Sequence, residues 1–62
     1  MEWISVNDEL PNFRFEVIVC DKYGNVTTGW FSKVKYRFTD NDDDEYQHIT
    51  HWMPLPKPPQ NG

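Results

Sequence analysis

The side chains able to do chemistry are few, and they cluster. His48 and His51 stand three residues apart, Cys20 is the single cysteine, and Asp40, Asp42, Asp43, Asp44 and Glu45 place five carboxylates in six residues. On a helix the two histidines would share a face and could hold a metal together. On a strand that spacing sends them to opposite faces, and the residues around them read as strand. The carboxylate run superficially resembles a calcium loop, which needs glycine at its sixth position and a bidentate glutamate at its twelfth. Counted from Asp40, those positions hold Glu45 and His51. Cys20 lies in the most apolar stretch, where a thiol is an inert packing group. No nucleophile elbow, phosphate loop or paired-carboxylate signature is present. The sequence therefore predicts no enzyme, no catalytic residue, no metal and no cofactor.

What remains is recognition. The acidic run and the neighbouring Tyr46 form one candidate contact surface, in which Asp40, Asp42, Asp43, Asp44 and Glu45 meet a basic cleft on a partner, as a phosphate backbone would. The plainer reading is a mutually repelling, solvated turn. A second candidate is a shallow aromatic groove made by Trp3, Trp30, His51 and Trp52, suited to a small ligand or a peptide. Pro56-Lys57-Pro58-Pro59 fits the loose pattern of polyproline ligands, which is common by chance.

These residues must be positioned by a chain of only 62 residues. Such a chain buries only about 60% of its unfolded surface, and one cysteine allows no internal disulfide. Aromatic residues make up 16% of the sequence and are the expected staple. The net charge of −4 argues against direct contact with nucleic acid or anionic membrane. No apolar run reaches the ~20 residues of a membrane span, and the start lacks the pattern of a signal peptide. A lone thiol suits a reducing, cytoplasmic setting.

The expected fold is all-β: a small curled antiparallel meander of four or five strands in a single domain, 1–62. Residues 1–53 would be its body and 54–62 a polyproline-II tail. Residues 3–6 read as a short strand and 7–12 as a turn closed by Pro11. Residues 15–21, apolar on both parities, read as a central strand buried on two sides. Residues 21–25 read as a hairpin connection in which Gly24 or Asn25 takes positive φ. Residues 26–31 form the next strand, with Gly29 marking a bulge or close contact. Residues 33–39 read as a third strand with Val34, Tyr36 and Phe38 inward and Lys33, Lys35 and Arg37 outward. Those cations also protect an edge, which favours a monomer. Residues 46–53 read as the last strand. The expected core is Trp3, Val17, Val19, Trp30, Val34, Tyr36, Phe38, Ile49 and Trp52, with Trp52 stacked near Trp3 to lock the chain ends together.

The ends carry a resemblance. Trp3-Ile4-Ser5-Val6-Asn7-Asp8-Glu9-Leu10-Pro11 opens the chain and Ile49-Thr50-His51-Trp52-Met53-Pro54-Leu55-Pro56-Lys57-Pro58-Pro59 closes it. Between them lie Val17-Ile18-Val19, Gly24-Asn25-Val26 and Gly29-Trp30-Phe31. This pattern resembles the bacteriophage and prophage family catalogued as domain of unknown function five-fifty-one. The acidity of Asp40–Glu45 departs from it, falling where the family carries a variable loop. The resemblance implies phage or prophage origin and the host cytoplasm, and it brings no catalytic residues. The expectation is a small protein that binds and modulates a host protein, such as a defence or nucleic-acid-handling complex that it would inhibit.

Overall fold

The computed structural model describes residues 2–12 and 14–56. Five strands build one open antiparallel sheet: β1 (Ile4–Ser5), β2 (Glu16–Asp21), β3 (Val26–Ser32), β4 (Arg37–Thr39) and β5 (Ile49–Pro54). Their spatial order is β1-β5-β2-β3-β4. The meander is β2-β3-β4. The chain then returns across the sheet, and β5 enters between β1 and β2. Ile4 lies opposite Trp52, and Val19 lies opposite both Trp52 and Thr27. The two chain ends are thus joined by ladder hydrogen bonds.

β2 occupies the middle because its residues suit both faces. Val17 and Val19 point into the core, while Ile18 and Cys20 are half-buried on the opposite face. The core consists of Val17, Val19, Phe31, Phe38 and Trp52, with Ile4, Val6, Leu10, Tyr46 and Ile49 packed against it. Phe31 meets Phe38 edge-on at 5.2 Å between centroids, an arrangement aromatic rings favour. Trp52 closes the other end, its indole N–H donating to the Glu9 carbonyl at 2.9 Å.

Several expectations are corrected. Residues 33–36 are a turn, and the third strand is only Arg37–Thr39. An antiparallel β3–β4 pair needs a reversal, and pairing of Ser32 with Arg37 leaves these four residues to make it. The Lys35 N–H donates to Ser32 Oγ, and Tyr36 takes φ of 57°. Val34 and Tyr36 are therefore outside the core, 97% and 68% exposed. Phe31 fills the inward position instead, because it shares the face of Gly29, whose partner is Val17. Trp30 consequently falls on the opposite face, half-buried, and Trp3 is 40% exposed at the β1 edge. Ile4, not Trp3, lies opposite Trp52. The last strand begins at Ile49, since residues 45–48 are used to cross the sheet. The expected tail begins inside β5, where Pro54 pairs with Val17; Leu55 and Pro56 follow without regular structure, and 57–62 lie outside the described residues.

That crossing explains Gly29. A Cβ there would stand 2.7 Å from the Tyr46 ring and 2.6 Å from the Thr39 carbonyl oxygen. The missing side chain lets Tyr46 lie on the β3 backbone, where its hydroxyl donates to the Thr28 carbonyl at 2.8 Å.

Candidate docking surface

The acidic run is a hydrogen-bonded turn whose residues 41–45 are exposed to solvent. The Asp40 N–H donates to the Asp44 carbonyl and the Asp43 N–H to the Asp40 carbonyl, both at 3.0 Å. Asp40 Oδ1 accepts the N–H groups of Asp42 and Asp44 at 2.9 and 3.0 Å. Asp43 takes φ of 66°. On the far side of the loop Thr39 bridges to Glu45, and the Tyr46 N–H donates to the Phe38 carbonyl at 2.8 Å. The loop is thereby anchored to β4 at both ends.

Two of its carboxylates are paired. Lys35 Nζ sits 3.1 Å from Asp43 Oδ2 and 2.8 Å from the Asp43 carbonyl, and Arg37 Nε lies 3.4 Å from Glu45 Oε1. Both ion pairs are solvent-exposed, so each is worth at most about 1 kcal/mol. Lys35 and Arg37 were legible only as an outward basic face. Their position opposite the acidic run depends on the turn at 33–36, which alternation concealed.

The candidate contact residues thus divide by role. Asp40 is half-buried and caps the loop. Tyr46 is half-buried and fastens the crossing to β3. Asp43 and Glu45 are exposed and held by cations, while Asp42 and Asp44 project into solvent. Asp40, Asp42 and Asp44 bring carboxylate oxygens within 4.8 Å of one another. Neither histidine belongs to this group. His48 meets Tyr23 edge-on at 5.9 Å, and His51 Nδ1 lies 2.9 Å from Thr50 Oγ1.

The four residues of the expected aromatic groove do not share one wall. Trp52 is buried in the core, and His51, its neighbour on β5, points to the opposite face and is exposed. Trp30 lies on the face of His51, two strands away from it. Cys20 is half-buried on that same face, with Sγ 3.5 Å from the Asp21 carbonyl.

The β2–β3 connection supplies the clearest local electrostatics. Asp21 accepts the Asn25 and Tyr23 N–H groups on Oδ1, each at 2.9 Å, and the Asn25 side-chain amide on Oδ2 at 3.1 Å. Donation from the Asn25 backbone, and secondarily from its side chain, holds the Asp21 carboxyl below its usual value, with smaller contributions from the Tyr23 N–H and the nearby His48. Among the described residues no helix is long and apolar enough to cross a membrane.

No solved structure matches this chain. It is 31% identical over 65 residues to the "Uncharacterized 7.8 kDa protein in ral-gp17 intergenic region" of Salmonella phage P22, an alignment covering 95% of this chain and 97% of the phage protein. The model of the family described as "Protein of unknown function (DUF551)" matches residues 2–60, which takes in both terminal blocks, the β2–β3 hairpin and the acidic loop. The chain belongs to that family, of which the resemblance at its two ends gave the first sign.

Proposed function

We propose that this chain is a phage- or prophage-encoded binding protein that docks on a host protein in the cytoplasm and modulates it, without catalysis or cofactor. The 40–45 loop is the contact, and counter-defence inhibition is the activity it suits. The observation that supports this reading is preorganisation. Asp40 caps the loop and β4 anchors it, so the Asp42 and Asp44 carboxylates are displayed with little ordering left to lose on binding. Carboxylates carried on a held backbone complement a basic cleft, such as one built to grip a nucleic-acid backbone, and steer association with it. The second reading, a small-ligand or peptide site, is left with Trp3, Trp30 and His51, since Trp52 belongs to the core.

Replacing Asp42 and Asp44 together by asparagine tests the first reading. Neither side chain holds the loop, so the fold should be kept, with thermal stability unchanged or slightly raised by relief of like-charge repulsion. A host protein captured from lysate by the parent chain should be lost or sharply reduced with the double variant, and its capture should weaken as salt rises. Equal capture by both proteins at every ionic strength would reject the loop as the contact.

A further inference from the structure

An open cleft of about 520 Å³ lies beside the acidic loop, with Trp30, Val34, Asp40, Asn41 and Asp43 among the residues that line it. Trp30 is opposite Thr39 in the β3–β4 ladder, one residue before Asp40, and both Trp30 and Asp40 line the cleft. We infer that this cleft receives an arginine side chain of a basic protein partner, the guanidinium lying against Trp30 while its N–H edge meets the Asp40 and Asp43 carboxylates. The inference rests on the reading of the 40–45 loop as a docking surface and names the chemistry the loop recognises.

The fit follows from what lines the cleft. A lining that combines an indole with two aspartates suits a group that is planar, cationic and weakly hydrated. Guanidinium meets all three conditions, stacking on indole while its edge donates to oxygen. An ammonium group is compact and strongly hydrated, so it gives up more on leaving water. The bonds that shape the loop use Oδ1 of Asp40 and Oδ2 of Asp43. Lys33, the cation on the cleft wall, has a partner of its own.

Charge complementarity points outward, away from self-association. Each copy carries a net charge of −4, and its only arginines are Arg14 and Arg37. Arg37 pairs with Glu45, and Arg14 is also engaged. A second copy therefore brings repulsion and no spare guanidinium.

The test is a titration of the full-length ¹⁵N-labelled chain with acetyl-Gly-Arg-Gly-amide, against the same peptide carrying citrulline, which keeps the shape and removes the charge. Saturable shifts should centre on the Trp30 indole N–H and the Asn41 amide, with Kd in the range of about 1–10 mM, as expected for one side chain. Citrulline, Trp30→Leu and Asp43→Asn should each weaken binding by about two- to fivefold. Asp43→Asn keeps a residue that tolerates positive φ, so it remains informative if Trp30→Leu disturbs the sheet. Equal titration by citrulline, undiminished binding in Asp43→Asn, shifts centred elsewhere or no saturable shift would each overturn the proposal. If the peptide fails while partner capture still depends on Asp42 and Asp44, the cleft is rejected and the loop reading stands. If the peptide binds as described while capture ignores those two residues, the loop reading fails by itself.

Discussion

The turns at 21–25 and 40–44 are the same piece of backbone built from different residues. In each, the first aspartate donates its N–H to the carbonyl four residues on, and its own carbonyl accepts the N–H three residues on. In each, its Oδ1 accepts the N–H groups two and four residues on. In each, the fourth residue has positive φ: Gly24 at 88° and Asp43 at 66°. The first turn is furnished for geometry alone, with glycine where positive φ is required and Asn25 donating again to the capping carboxylate. The second fills the corresponding positions with carboxylates and places an aspartate where glycine is easiest, which opposes both backbone preference and like-charge repulsion. Departures from local rules tend to mark sites kept for function. The acidic turn departs and its twin does not, which is the contrast that the proposed docking role of the loop would account for.

Only the acidic turn depends on the glycine at position 29. Its exit strand crosses β3 over Gly29, whereas the turn at 21–25 leads directly into a paired strand. Gly29→Ala should destabilise the fold by about 3 kcal/mol, the upper range for overpacking, because one of the clashing groups is backbone. Urea unfolding measures this, and proteolysis should cut first at 40–48. A loss below about 0.5 kcal/mol would mean that Tyr46 is not held against β3.

How much of this was legible in the sequence follows from the range of each interaction. The central place of β2 could be read from its two-sided apolarity, and the turn at 21–25 from Gly24, because both signals are local. The turn at 33–36 could not, since Val34-Lys35-Tyr36-Arg37 alternates like a strand and only the pairing of Ser32 with Arg37 reveals a reversal. The roles of Asp40 and Tyr46 were also hidden. Tyr46 is fixed by Thr28, eighteen residues away, and Gly29 signalled a close contact without naming what approaches. The acidic run was visible as a candidate, but its division into capping, paired and projecting carboxylates depends on tertiary structure.

If the turns are twins, their capping aspartates should be equivalent in kind. Asp40→Ala removes the acceptor of two N–H groups and should cost about 1 kcal/mol, as loss of a helix cap does. Asp21→Ala should also lower the urea midpoint, and here the effect depends on pH. The folded-state carboxyl titrates below its unfolded value, so its contribution is complete above the unfolded pKa and disappears as pH falls through the folded one. The parent and Asp21→Ala should therefore differ at pH 7, and the gap should narrow as pH falls below the unfolded carboxyl value of about 3.9. A constant gap across that range would assign the effect to packing instead of charge.

The two turns differ most simply at their residue of positive φ, Gly24 in one and Asp43 in the other. Asp43→Gly gives the acidic turn the residue its twin already uses at positive φ. Relief of the side chain's conformational cost should stabilise by about 0.5–1 kcal/mol, against the loss of an exposed ion pair with Lys35 worth no more than that. Gly24→Ala is the mirror experiment. No atom lies within 4 Å of the added Cβ, so its cost, about 1 kcal/mol, isolates the backbone. Gly24→Ala should lower the urea midpoint, whereas Asp43→Gly should leave it unchanged or raise it. If Asp43→Gly instead destabilises as much as Gly24→Ala, the aspartate stabilises its own turn, and its presence no longer argues for a surface retained at the expense of stability.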